Sequence, residues 1–180
     1  METETKVHLS SLEDEHIGHY MALSDDPELI ISMGWRPFGP DDKERFIQFT
    51  RVLSLPDLEN GKATVFSIIN TSDNKAIGYT AIKGISETAV RAEVGIAIME
   101  MEYRGQGRGT EALRLVVDYA FHELNLTTIG LTVFPSNHRA IRAYEKVGFR
   151  KTGVLVDSWL LPNGRYSDMW MMELSRDSMH

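Results

Sequence analysis

Apolar positions change their period along this chain, and the changes mark out its elements. Val7 to Leu12 alternates briefly and predicts a first strand, after which Ser11 or Asp14 caps a helix from His16 to Ser24. Asp25-Asp26-Pro27 breaks that helix or starts a second, short one at Pro27, because proline suits a first helical position. Gly34 to Pro40 reads as a loop whose aromatics, Trp35 and Phe38, act either as a hydrophobic anchor or as a binding wall. Asp41-Asp42 then caps a helix with Phe46, Phe49, Val52 and Leu53 on its apolar stripe, closed by Leu55-Pro56. Ala63 to Asn70 and Ala76 to Gly84 are β-rich runs joined by the polar turn Thr71 to Lys75, which predicts an antiparallel hairpin.

The run from Ala89 to Met99 predicts the central strand. It places Val90, Ala92, Val94, Ile96 and Ile98 on one face and Arg91, Glu93, Gly95, Ala97 and Met99 on the other. A glycine inside a strand marks a bulge or a close approach of another backbone, so Gly95 predicts a strand that bends away from its neighbour and bares its ladder groups. The segment Arg104-Gly105-Gln106-Gly107-Arg108-Gly109-Thr110 follows at once. Its alternating glycines permit a tight turn and leave N–H groups uncovered. From Gly109 onward, Leu113, Val116, Val117, Ala120 and Leu124 recur at helical spacing while Arg114, Asp118 and His122 face away. The free N–H groups and positive end of that helix therefore point into the loop and favour an anion, with Arg104 and Arg108 adding charge. The spacing fits neither a P-loop nor a dinucleotide fingerprint.

Thr128 to Phe134 alternates as a further strand. Ser136 or Asn137 caps a helix carrying Ala140, Ile141, Tyr144 and Val147, and Gly148 ends it with Phe149 folding back. A last hairpin joins Thr152 to Leu161 with Tyr166 to Leu174 around Pro162-Asn163-Gly164.

Composition narrows the function more than the fold. At 180 residues the chain is expected to form one domain with its own core. With no cysteine, thiolate nucleophiles, cysteine metal sites and disulfides are excluded, and the six histidines form no convincing metal constellation. The net charge of −7 disfavours nucleic acid as a partner and suits a cationic substrate better, although modest acidity also serves simple solubility. No signal-peptide pattern and no span of about 20 apolar residues is present, so a soluble cytoplasmic protein without membrane contact is expected.

Two motifs carry a resemblance. Arg104-x-x-Gly107-x-Gly109 looks like the acetyl-CoA pyrophosphate loop of the GNAT superfamily of N-acetyltransferases, and the run Asn137, Ala140, Tyr144, Gly148-Phe149 is similar to the second signature of that superfamily. Asp118 to Phe121, Leu124 to Leu126 and Asn163 to Tyr166 with Asp168 resemble the subgroup of RimJ/RimL-type and spermidine N-acetyltransferases. The resemblance implies a mixed, mostly antiparallel sheet with helices on both faces, splayed where the coenzyme inserts. It implies that Arg104, Gly105, Gln106, Gly107, Arg108, Gly109 and Thr110 hold the pyrophosphate, largely through main-chain N–H groups, that Ile98 and Met99 offer backbone groups to the pantetheine, and that Asn137 bonds the coenzyme or a water beside it. It makes the segment around Trp35 a wall of the acceptor site, and family habit extends to homodimers.

Direct acetyl transfer needs a neutral amine, a polarised carbonyl and a proton for the departing thiolate, with no covalent enzyme intermediate. Tyr144 is the expected acid. Glu93 is the expected base, directly or through water, or else pairs structurally with Arg91. The acceptor is a polyamine or other small amine, or a protein N-terminal α-amine. Asp25, Asp26 and Glu28 either offer carboxylates to a polyamine or form a solvated helix cap. The alternative function is a coenzyme-A-binding regulatory module without catalysis.

Overall fold

The computed structural model describes residues 5–34, 36, 40–42, 44, 62–85 and 91–179. Seven strands form its sheet: β1 (Val7–Ser11), β2 (Lys62–Asn70), β3 (Ala76–Ile85), β4 (Arg91–Ile98), β5 (Thr128–Val133), β6 (Arg150–Leu160) and β7 (Tyr166–Ser175). They lie in the order β1-β2-β3-β4-β5-β7-β6, and every adjacent pair is antiparallel except β4 and β5. Four helices among the described residues cover the two faces: α1 (Asp14–Ala22), α2 (Pro27–Met33), α3 (Arg108–His122) and α4 (His138–Val147). This is the mixed, mostly antiparallel architecture that the motifs imply.

The alternation of β4 separates the two cores. Ala92 and Val94 pack with Leu113, Val116, Val117 and Ala120 of α3 and with Ile141 and Tyr144 of α4. On the opposite face Ala97 and Met99 are buried with Tyr79 under Ile17 and Tyr20 of α1 and Leu29 of α2. The α3 stripe is as expected, except that the helix ends at His122, so Leu124 meets the core from the chain beyond it.

The helix expected from His16 to Ser24 runs instead from Asp14 to Ala22. Ser11 closes β1, and neither it nor Asp14 caps α1; Glu13 does, donating its N–H to His16 Nδ1 at 3.3 Å in a capping box. The other caps follow the sequence. Asp26 accepts from the Glu28 N–H at 2.8 Å with Pro27 at the first position of α2, and Asn137 accepts from the Ala140 N–H at 3.2 Å. Gly148, at φ +115°, ends α4 and turns Phe149 into full burial. The helix expected after Asp41-Asp42, with Phe46, Phe49, Val52 and Leu53, lies outside the described residues, as do Trp35, Phe38 and Val90.

Gly95 plays a different part from the one its type suggests. The β3–β4 register runs without a shift from Gly78↔Ile98 to Lys83↔Glu93, and a Cβ on Gly95 would meet nothing within 4 Å. The close approach falls across the pair instead, where a Cβ on Gly78 would lie 2.1 Å from the Ala97 carbonyl oxygen. The divergence of β4 concerns its other neighbour.

Candidate active site

β4 pairs with β5 only at Arg91↔Thr128, Ala92↔Ile129 and Glu93↔Gly130. Beyond Gly130, β5 stays paired with β7 as far as Val133↔Trp170. The two parallel strands thus part at Glu93, and a cavity of about 590 Å³ fills the gap. Met99 donates its N–H to the Ile77 carbonyl at 2.8 Å, so the alternation of an antiparallel ladder turns the peptide groups of Val94, Ile96 and Ile98 toward the gap. This open edge runs for roughly 16 Å between Glu93 and Ile98. It offers a strand-like ladder to an extended, amide-bearing ligand.

Glycine geometry shapes the wide end of the gap. Gly105 and Gly107 adopt φ of +73° and +85°, and Gly107 caps α3. The first backbone bond of α3 runs from the Glu111 N–H to the Gly107 carbonyl at 3.0 Å, and the N–H groups of Gly105 through Thr110 meet no acceptor among the described residues. A row of free donors at the positive end of a 15-residue helix is an anion site. Two side chains of the loop brace it. Arg108 donates from Nε to Asn70 Oδ1 at 2.7 Å, reaches the Gln106 side-chain oxygen, and lies over the Tyr103 ring at 5.1 Å. The Gln106 side chain donates in turn to the Glu102 carbonyl. Just before β1, Lys6 brings its ammonium to the Gln106 carbonyl at 3.1 Å, while the Glu111 carboxylate accepts from the N–H groups of Lys6 and Val7.

Arg104 and Met99 depart from their expected use. The Arg104 N–H donates to Met101 O at 3.1 Å, and its guanidinium bonds the carbonyls of Ile98 and Met99 and the carboxylates of Asp26 and Glu28. Met99 is fully buried, with its N–H on Ile77 and its carbonyl on Arg104. Of the backbone groups expected at the pantetheine, the Ile98 N–H stays open toward the gap. Burial opposes ionisation of Asp26, yet hydrogen bonds from Arg104 and the Glu28 N–H, with the Arg104 charge, hold its carboxyl below the usual range.

Five of the expected site residues line the one cavity: Glu93, Ile98, Gly109, Asn137 and Tyr144. Tyr144 is 8% exposed, packs edge-on against Phe149, and its hydroxyl meets no hydrogen-bond partner among the described residues. Burial alone pushes its pKa up to about 12, so the proton stays on the oxygen at neutral pH. Glu93 is exposed at the narrow end, and Arg91 pairs with Glu173 rather than with it. Asn137, besides capping α4, donates from Nδ2 to the Ser32 carbonyl at 3.4 Å and so ties α4 to α2. Glu100, just after β4, carries a carboxyl held below its usual range; burial works against this, and hydrogen bonds from Lys75 and His19 outweigh it.

The opposite wall was not read from the sequence. Trp159 of β6 lines the cavity, donates from Nε1 to the Gly34 carbonyl at 2.8 Å, and stacks edge-on with Phe134 at 6.1 Å. Gly34 caps α2 at φ +62°, and a Cβ there would lie 2.5 Å from Phe134 and 2.7 Å from Trp159 Nε1. Met33, Arg36, Lys83 and Met169 complete this side. The signal available was Trp159 itself, a large aromatic that stays 42% exposed in β6. Among the described residues no group of three or more His, Asp or Glu is placed to hold a metal ion, and no helix is long and apolar enough to cross a membrane.

Residues 6–150 match the acetyltransferase (GNAT) domain family. The chain is 39% identical over 97 residues to "Probable N-acetyltransferase YjcK" of Bacillus subtilis, covering 54% of each protein. It is 37% identical over 94 residues to the spermidine N(1)-acetyltransferase of Escherichia coli K12, covering 52% of this chain and 50% of that one. It therefore spans about half the length of these two relatives. In structure it is similar to a spermidine N-acetyltransferase of Vibrio cholerae solved with CoA and spermine, with a TM-score of 0.80 at 23% identity over 97% of this chain and 98% of the other.

Proposed function

This chain belongs to the GNAT acetyltransferase family, and from that premise we propose that it transfers the acetyl group of acetyl-CoA directly to a primary amine. The observation that carries the proposal is the parting of β4 from β5 at Glu93, with a cavity that also reaches Ile98, Gly109, Asn137 and Tyr144. The free N–H groups of Gly105 through Thr110 bind the pyrophosphate, with Lys6 and Arg108 adding charge. The open edge of β4, ending at the Ile98 N–H, hydrogen-bonds the pantetheine amides. Asn137 keeps the mouth of α4 in place beside them.

Glu93 takes the proton from the acceptor ammonium, directly or through water, which frees the nitrogen lone pair. The amine attacks the thioester carbonyl, the C–N bond forms, and the C–S bond breaks. Tyr144 gives its proton to the leaving sulfur, and the nitrogen sheds its surplus proton to water, from which the tyrosinate is reprotonated. The Tyr144 hydroxyl, which meets no protein partner among the described residues, supports this role, because a phenol whose pKa burial raises to about 12 is fully protonated at neutral pH and so has a proton to give.

Relatives named for spermidine support a polyamine acceptor. The cavity wall supports a second class: among the described residues it carries Arg36, Lys83 and Arg139 beside the single carboxylate Glu93. That lining suits an acceptor with fewer positive charges, such as a peptide α-amine. Asp26 and Glu28, two of the carboxylates considered for a polyamine, are paired with Arg104 and Arg139. The proposal includes a cytoplasmic setting and a homodimer, for which exposed Val156 and Leu160 on β6 and Tyr166 on β7 offer apolar surface.

The test is acetyl-CoA-dependent thiol release over spermidine, spermine, aminoglycosides and short peptides with free α-amines; a chain without cysteine adds no thiol background. Turnover of one class establishes reaction and acceptor together. Silence with every amine, while CoA still raises the melting temperature, would favour the non-catalytic coenzyme-binding module.

A further inference from the structure

α2 touches both ends of the cleft, and one side chain holds it there. Leu29, Ser32 and Met33 face the cavity from α2, and Arg104 lies just past the end of β4. The Arg104 side chain is 4% exposed. Its Nε donates to the Ile98 carbonyl at 2.8 Å and its Nη2 to the Met99 carbonyl at 2.6 Å. Its Nη1 donates to Asp26 Oδ2 at 2.7 Å and to Glu28 Oε2 at 3.1 Å. A guanidinium has five N–H donors in a fixed fork, so four of them end on this protein and little remains for a phosphate. Asp26 is also the N-cap of α2, and Glu28 reaches on to Arg139 near the start of α4.

We infer that Arg104 is a positioning residue for the acceptor: by clamping Asp26 and Glu28 to the carbonyls of Ile98 and Met99, it sets α2 against the strand edge that carries the donor. The inference rests on the acetyl-transfer reading above and assigns Arg104 a task other than pyrophosphate binding. The fork geometry is what the task requires. A lysine ammonium is a point charge that cannot span two carbonyls and two carboxylates in fixed directions. Since α2 lines the acceptor side, a displacement of even about 1 Å would misplace the amine against the thioester.

The experiment compares wild type with Arg104→Gln, Asp26→Asn and the double variant. Asparagine keeps the helix cap and removes only the charge, so Asp26→Asn tests the clamp even where Arg104→Gln fails to fold. CoA dissociation constants come from calorimetry, acceptor KM and kcat from the best amine, and α2 order from hydrogen exchange at the Ile30 and Gly34 amides. Each single variant is expected to raise acceptor KM about tenfold and to lower kcat, with the CoA dissociation constant within about threefold of wild type. The double variant should be no worse than the worse single, because both changes break one contact. A tenfold loss of CoA affinity in Arg104→Gln, with Asp26→Asn unchanged in every parameter, would overturn the inference and make Arg104 a phosphate ligand. If wild type turns over no amine, the acetyl-transfer reading fails by itself, and the exchange data still decide the clamp: faster exchange in the variants upholds it and unchanged exchange refutes it.

Discussion

At the end proposed for the coenzyme the cleft is made by one run of chain, Ile98 through Leu113, which supplies a strand edge, a glycine turn and a helix start in sequence order. The end proposed for the acceptor instead gathers Met33 of α2, Phe134 after β5, Trp159 on β6 and Met169 on β7. A contiguous unit holds its geometry through local backbone conformation, so changes there should act on the donor. A wall assembled from distant elements depends on the contacts between them, so changes there should act on the acceptor and leave the donor alone. Tyr144 and Glu93 stand between the two and should affect neither affinity strongly.

The largest effect is therefore expected at the junction. Tyr144→Phe should lower kcat by about 10²-fold or more while leaving the CoA dissociation constant unchanged. An equal loss of CoA affinity in calorimetry would show that the hydroxyl is structural. Because burial holds its pKa near 12, turnover should persist past pH 10 on the alkaline side; a fall centred at 10 would mean that the hydroxyl titrates as though in water. Glu93→Gln should cost on the order of 10²-fold at neutral pH and remove the acid limb of the kcat/KM profile. An acid limb that survives the substitution would point to ordered water or another group as the base.

Two glycines, one at each end, give a matched pair of the next size. Gly107→Ala forces a side chain onto φ +85° at the α3 cap and should weaken CoA binding about tenfold, with a strain of about 1–2 kcal/mol seen as a lower melting temperature. Gly34→Ala combines φ +62° with a Cβ 2.5 Å from the Phe134 ring and should raise acceptor KM by a similar factor. If Gly34→Ala weakens CoA as much as Gly107→Ala does, the two ends are one mechanical unit and the distinction drawn here is wrong.

The same contrast explains how much of the molecule could be read from its sequence. The α3 stripe, the caps at Asp26 and Asn137, the C-terminal glycine of α4 and both hairpins depend on near neighbours, and each appears where local pattern puts it. The parting of β4 was expected for the wrong reason. Gly95 leaves the β3 register undisturbed, and the gap opens because β5 follows β7 instead. Trp159 and Phe134 were missed because their meeting is set by α2, β5 and β6 packing together, which no local period records. The partners of Arg104 were not legible for a related reason: its motif position points to phosphate, whereas Asp26 and Glu28, which its guanidinium bonds, lie far back in the chain.

Lys6 supplies the smallest and sharpest trial of the contrast, since, like Asn70, it meets the glycine loop from outside the contiguous run. Its ammonium sits on the Gln106 carbonyl at 3.1 Å and would lie 3.5 Å from a Cβ on Gly107, while its own N–H is held by Glu111. An exposed cation beside the loop attracts an anion mainly through solvent, so its effect should be modest and screened by salt. Lys6→Met should raise the CoA dissociation constant about two- to fivefold at low ionic strength and by less in 0.5 M salt, with acceptor KM unchanged. Were the loss tenfold or larger and indifferent to salt, Lys6 would be bracing the loop through the Gln106 carbonyl instead of attracting the phosphates. The donor end would then depend on a distant segment as much as the acceptor wall does.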